Sequence, residues 1–298
     1  MKHIVCLLMG LIVSLARADD SVVKFLVGFA PGGGQYIVTK IISDAASRQG
    51  YKNIVLHKEG VGGIVGMNEC VENAKQNYLC MATEAQYVHS IILPDSVRKY
   101  NVEDLEYLMV VAESPNVLIT NNKNRRSLPA VINHVKTQPV SFANGALGLT
   151  VTTDFIVKSL HAKDAVQAQY KGTGPALIDV ISGVVDYAVV PYTVVKNRQD
   201  VRIVANLGFR DIAGIPKLHD YVPGLADDTT HFGFVMSPNA DKNVVDRYKR
   251  ILNDATTSST VKEQFADLGV FQVSLNSRQF KQHASDSRHR LKTSILNK

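Results

Sequence analysis

The segment VKFLVGFAPGGGQYIVTKIISDAA, Val23 to Ala46, joins two unlike patterns across three consecutive glycines. Val23 to Phe29 is an apolar run of strand length, while Ile37, Ile41, Ile42, Ala45 and Ala46 recur at helical spacing on one face. Each glycine adds backbone entropy that folding must remove, so Gly32, Gly33 and Gly34 in a row need a reason. One reading is a loose turn. The other is bare backbone N–H at a helix N-terminus, where the macrodipole favours an anion.

Upstream, MKHIVCLLMGLIVSLARADD has a basic start at Lys2, an apolar stretch from Ile4 to Leu15 and the small-x-small triplet Ala16-Arg17-Ala18. This is the pattern of a secretory signal peptide, residues 1–18, and its apolar run falls short of the about 20 residues a membrane helix needs. The expected working form is exported to the periplasm. The formal charge of +6 falls to +4 once Lys2 and Arg17 are removed. The remaining basic clusters, KNRR at 123–126 and RHRLK at 288–292, carry no nucleic-acid motif. Cys70 and Cys80 remain, on a helical pattern and on the strand after it. Export permits a disulfide, but geometry decides pairing and two buried, unpaired thiols fit equally well.

Strand and helix alternate along the chain: strand 23–29, helix 36–50, strand 53–57, helix 65–75 and strand 78–82. Two further strands flank Ser114-Pro115-Asn116. A second alternating block follows, with helix 129–137, strand 140–143, helix 152–161, strand 165–169, helix 175–183 and strand 187–190. VRIVANLG and HFGFVMSP read as later strands, and two helical patterns close the chain. This α/β rhythm implies parallel sheets flanked by helices. The expected division is lobe 1 at 19–122, lobe 2 at 123–229 and a return to lobe 1 at 230–298. The two crossings, near Asn121–Asn124 and Thr229–Phe232, would act as a hinge.

In open parallel sheets ligands bind beyond the carboxyl ends of the strands. Those loops read FAPGGGQ, KEGVGGIVG, TEAQ, ANGALGLTVTT, YKGTGPA and PYT, rich in Gly, Thr and Asn and without clustered acids or histidines. Gly60, Gly62 and Gly66 approach a dinucleotide fingerprint, but Val65 stands where the third glycine belongs. No nucleophile elbow, metalloprotease helix or phosphate-loop Lys-Ser pair occurs, and the histidines are scattered. No catalytic residue, metal site or cofactor is expected.

In order, FAPGGG, KEGVGGIVGMNECV, SPNVLITNN, YKGTGPALIDVISGVVDYAVVP and VKEQFADLGV resemble the tripartite tricarboxylate transporter receptor family, the Bug-type solute-binding proteins, over Val23 to about Lys281. The resemblance implies a class II binding-protein architecture that closes on a small carboxylate and delivers it, as a monomer, to a membrane permease. Carried onto this chain it points to Phe29, Gly32, Gly33, Gly34 and Gln35, with Gly62, Gly63 and Thr83 on the same side. Asn144, Gly145, Gly148 and Thr150 would face them, with Tyr170, Lys171 and Gly172 near the floor. Lys171 either touches ligand or pairs with an acid of its own lobe.

Three positions depart from the family pattern. Gln35-Tyr36 replaces Thr/Ser-Asp, ALGLTVTT replaces a loop with serines and a histidine, and Lys58-Glu59 replaces Arg-Pro. The first removes an acid that would select an amino or hydroxyl group; the second makes the pocket more apolar. A sensor subunit docking on a membrane signalling protein, or an exported hydrolase of small acids, are the competing functions.

Overall fold

A computed structural model describes residues 22–121 and 127–296. The expected signal segment and the KNRR cluster lie outside these residues. β1 (Val23–Val27), α1 (Gly34–Arg48), β2 (Asn53–His57), α2 (Ile64–Glu72), β3 (Tyr78–Ala82) and the single turn α3 (Glu84–Tyr87) keep the expected alternation. β1 pairs in parallel with β2 and β3. Its side chains alternate between faces: Val23, Phe25 and Val27 join a core with Val38, Ile42 and Ala46 of α1, while Leu26 joins Ile64, Met67, Cys70 and Cys80 on the other face. Cys70 and Cys80 form a disulfide with their Cα atoms 6.3 Å apart, which ties α2 to β3 and settles the pairing the sequence left open.

The largest departure is β4 (Glu106–Asn121), one sixteen-residue strand where two were expected around Ser114-Pro115-Asn116. After it come α4 (Leu128–Thr137), β5 (Ser141–Asn144), α5 (Leu147–Ser159), β6 (Val166–Gln169), α6 (Thr173–Ser182), β7 (Tyr187–Pro191) and β8 (Val201–Asn206). The chain ends with β9 (Thr229–Met236), α7 (Lys242–Thr257), α8 (Ser259–Asp267), β10 (Phe271–Asn276) and α9 (Ser277–Leu296). α5 begins five residues ahead of the expected Thr152, so Gly148 and Thr150 lie in a helix and not in a loop. α8 and β10 were not expected. Their apolar signals are short: Val261 and Phe265 in α8, and Phe271, Val273 and Leu275 alternating in β10.

β4 belongs to both lobes. From Glu106 to Pro115 it pairs antiparallel with β9, and it also carries β10 on this half. From Asn116 to Thr120 it pairs antiparallel with β7 and, from Val117 to Asn121, with β8. The strand order is β2-β1-β3-β9-β4-β7-β5-β6, with β10 and β8 attached to β4. Pro115 has no N–H to donate to a ladder. It makes the last pair with β9, at Thr229, and Asn116 makes the first pair with β7, at Pro191. The first crossing thus falls at Pro115–Asn116, ahead of the expected Asn121–Asn124. The return lies beside it, where the Asn116 N–H donates to the Asp228 carbonyl at 2.9 Å.

The second sheet also has a core on each face. Leu128, Phe142, Ile156 and Val189 pack on one side; Val117, Ile119, Ala176, Val180 and Val190 pack on the other. Two separately cored α/β lobes joined through β4 and the approach to β9 form a two-lobed architecture, with the βα loops of both sheets turned to a common junction.

Candidate functional site

Three helices start at that junction without a side-chain cap. The residue before α1 is Gly33, before α5 Ala146 and before α6 Gly172, and none accepts a hydrogen bond from the helix N-terminus through its side chain. Ser, Thr, Asp or Asn ordinarily fill this position and satisfy one of the first N–H groups. The three ends converge. A Cβ on Gly33 would stand 2.8 Å from Thr173 Oγ1 at the start of α6, and one on Gly145 would stand 2.5 Å from the Thr173 N–H nitrogen.

Glycine also permits the close approach of the two lobes. A Cβ on Gly174 would meet the Pro31 carbonyl oxygen at 2.7 Å, and one on Gly62 would meet Leu147 N at 3.0 Å. The Ala30 N–H donates to the Lys171 carbonyl at 3.1 Å. Of the three glycines in the opening segment, Gly32 needs its positive φ of 88°. Gly33 faces lobe 2, and Gly34 begins α1 against Phe232 and Pro191. The run serves both purposes at once: it shapes the turn and keeps side chains out of the junction.

Beside α1 lies a buried amide cluster. Gln35 Nε2 donates to Gln86 Oε1 at 3.0 Å and to Thr83 Oγ1 at 3.2 Å. Gln86 Oε1 also accepts from the Thr83 N–H at 2.8 Å, and Gln86 Nε2 donates to the Gly62 carbonyl at 3.2 Å. This chain of bonds fixes both amide orientations. Gln35 is 4 % exposed, and its Oε1 is left with no hydrogen bond. An unpaired buried acceptor costs on the order of 1–3 kcal/mol, so Oε1 is suited to an incoming donor. Gly63, with φ of 90°, makes room for this cluster, because a Cβ there would overlap Gln86 Nε2 and touch the Phe29 ring.

The structure therefore brings together Phe29, Gly32, Gly33, Gly34, Gln35, Gly62, Gly63 and Thr83 from lobe 1 with Gly145, Gly148, Lys171 and Gly172 from lobe 2. Three expected donors are committed elsewhere. Asn144 donates to Gln167 at 2.6 Å and accepts from Thr153 at 2.8 Å. The Thr150 hydroxyl lies within hydrogen-bond distance of the Ala146 carbonyl and of Gln169 Oε1, and its one proton goes to either of these acceptors. The Tyr170 hydroxyl donates to Asp179 Oδ2 at 2.6 Å, and burial together with this carboxylate pushes its pKa up to about 12. Asp179 is thus held by Tyr170, and among the described residues the exposed Lys171 ammonium has no ion pair; its backbone makes the contact between lobes. Sequence reasoning missed Gln86, Leu147, Thr173 and Gly174. The capping pair Thr83 and Gln86, spaced three apart, is the one available signal.

The hinge edge of the junction has a different chemistry. Asp228 Oδ1 accepts from Asn116 Nδ2 at 3.0 Å while its Oδ2 has no partner. Burial raises its pKa to about 7, against the opposing hydrogen bond of Asn116. Ser114 Oγ accepts from the Thr193 N–H at 3.1 Å. Two open surface hollows, of about 440 and 550 Å³, lie against Pro31, Tyr36, Lys40 and Asn53 and against Ala130, Asn133 and Thr137; neither is lined by Gly33, Ala146 or Gly172.

Residues 37–298 match the profile described as "Tripartite tricarboxylate transporter family receptor". The chain is 28 % identical over 269 residues to protein BugT of Bordetella pertussis, covering 84 % of this chain and 81 % of that protein. It superposes on the periplasmic binding protein BugD with a TM-score of 0.85 at 18 % identity, over 93 % of this chain and 97 % of that one. It superposes on MatC of Rhodopseudomonas palustris, solved with bound malate, with a TM-score of 0.79 at 17 % identity, over 90 % and 97 % of the two chains. Among the described residues no helix is long and apolar enough to cross a membrane.

Proposed function

The chain belongs to the tripartite tricarboxylate transporter receptor family, and on that premise we propose that it is a non-catalytic periplasmic receptor that closes on a small carboxylate and presents it to membrane permease subunits. The observation that carries the reading is the convergence of three helix starts that lack side-chain caps, at Gly33, Ala146 and Gly172. A carboxylate there completes N–H groups that would otherwise need water, in the favourable field of the helix ends. Because it touches both lobes only when they meet, it draws the population toward the closed form.

The free acceptor on Gln35 narrows the ligand. An anion oxygen gains nothing beside Gln35 Oε1, whereas a hydroxyl or amine hydrogen does. The favoured ligand is thus a carboxylate that also carries such a donor, in keeping with the malate bound by MatC. The test is a dye-based thermal shift on the protein refolded free of co-purified ligand, comparing malate, succinate, adipate, aromatic acids and phosphate. A ligand at about 100 times its Kd adds roughly 2.7 kcal/mol. The expected order places malate above succinate, and Gln35→Leu should shrink that gap about tenfold in Kd. No shift with any acid would sink the receptor reading, and equal shifts with malate and succinate would remove the role given to Gln35.

A further inference from the structure

Three residues that no local pattern joins meet on the hinge side of lobe 1. Glu84 opens α3, His231 is the third residue of β9, and His283 lies in the second turn of α9. Glu84 Oε1 is 2.8 Å from His231 Nδ1 and 3.5 Å from His283 Nε2, and one ligand-type atom of each residue lies within 4.8 Å of the other two. The imidazole rings stand 4.4 Å apart, tilted by 51°. The Nε2 atom of His283 is buried and makes no well-formed hydrogen bond.

We propose that Glu84, His231 and His283 form a binding site for a first-row transition dication such as Zn²⁺, with one carboxylate oxygen, His231 Nδ1 and His283 Nε2 as ligands and a fourth position open. Two imidazoles and a carboxylate are a donor set that such borderline ions take. Ligand atoms about 2.0–2.2 Å from a tetrahedral ion stand about 3.4 Å from one another. The 3.5 Å pair already meets that spacing, and the 2.8 Å pair must open by about half an ångström.

The surroundings fit the same purpose. His231 Nε2 lies 3.3 Å from Glu113 Oε2, so the far side of the ring faces a carboxylate, the arrangement that orients metal-bound imidazoles. Glu113 is paired in turn with Arg210. The Tyr87 hydroxyl donates to Glu84 Oε1 at 2.8 Å, and the His231 backbone N–H donates to Glu84 Oε2 at 3.1 Å. Without an ion, the Glu84 and Glu113 carboxylates account for both ring nitrogens of His231. They leave His283 Nε2 only a long 3.5 Å approach to Glu84 Oε1, which a dication held between the three residues would replace by a ligand bond.

An ion here would tie α3, β9 and α9 together and, through Glu113, reach β4. β4 and β9 are the two strands that meet at the crossings between lobes. The test titrates tag-free protein, stripped with chelator, with Co²⁺ followed by visible absorption and then with Zn²⁺ by calorimetry. One equivalent of Co²⁺ should give a tetrahedral spectrum that Zn²⁺ displaces. His231→Gln and His283→Gln should each weaken binding at least tenfold, Glu113→Gln about tenfold, and the remote His219→Gln not at all. Absence of saturable binding in the wild type, or binding unchanged in the two ligand variants, overturns the site. Circular dichroism establishes the fold of each variant. If His231→Gln does not fold, His283→Gln decides alone, its ring being 21 % exposed.

Discussion

The two edges of the cleft are built from opposite materials. At the glycine-lined edge, backbone meets backbone: Ala30 donates to Lys171, Gly174 lies against Pro31, and three helices begin without side-chain caps. At the hinge edge, charged side chains crowd together, with Glu84, Glu113, His231, His283 and Asp228 near the strands that change lobes. None of the site residues gathered at the glycine-lined edge is acidic, so none of them would compete with an anionic ligand.

The Cys70–Cys80 disulfide links the two edges, because α2 follows the second glycine loop and β3 leads into Thr83 and Glu84. Its removal should have the largest effect on stability. The double variant Cys70→Ala, Cys80→Ala should lose about 3 kcal/mol in urea unfolding, from the entropy of the short loop it closes. A loss well under 1 kcal/mol would mean that packing alone holds the two edges together.

Gly174→Ala separates closure from stability. Gly174 is the second residue of α6, directly before Pro175 and without a positive φ, so alanine there should change the stability of lobe 2 by less than about 1 kcal/mol. Its Cβ would stand 2.7 Å from the Pro31 carbonyl oxygen across the junction. Overpacking of about 2–3 kcal/mol should then fall on the closed form alone, weakening ligand about 100-fold. Calorimetry on a ligand found by thermal shift measures this. Unchanged affinity would mean that the junction is not the closing surface.

Asp228 gives the smallest effect and tests the hinge edge. Its folded pKa of about 7 exceeds the ordinary unfolded value near 3.9, so the native state binds the extra proton. The stabilisation this provides is complete below the unfolded pKa and is lost as pH rises to about 7. Asp228→Asn imitates the protonated form, so its advantage over the wild type should grow from pH 5 to pH 8 by about 1–2 kcal/mol, discounted for partial exposure. Glu84, whose carboxyl is held far below its ordinary value, titrates outside that window and does not mask the difference. A constant gap between variant and wild type would remove Asp228 as a proton site.

Much of the glycine edge was legible, because each βα loop is local. A strand, a glycine and a helix face can be recognised within a few residues, and Gly33, Gly63 and Gly172 fall where that pattern put them. Which neighbouring donors remain free was not legible. Thr150 and Asn144 have the right chemistry, yet helix α5 starts early enough to engage one and Gln167 and Thr153 engage the other. β4 escaped for a similar reason: Pro115 reads as a break until two different partner strands are seen on either side of it.

By itself the sequence determined most of the alternation of strands and helices, the two α/β blocks and the glycine-led starts of α1 and α6, since these rest on periodicities and turn residues acting over short range. Only the tertiary structure decided where the chain changes sheets, that Gln35 keeps a free acceptor, and that Glu84 meets His231 across 147 residues of chain and His283 still further on. Contacts at such separation arise from how sheets and helices stack, and no local pattern of residues records them.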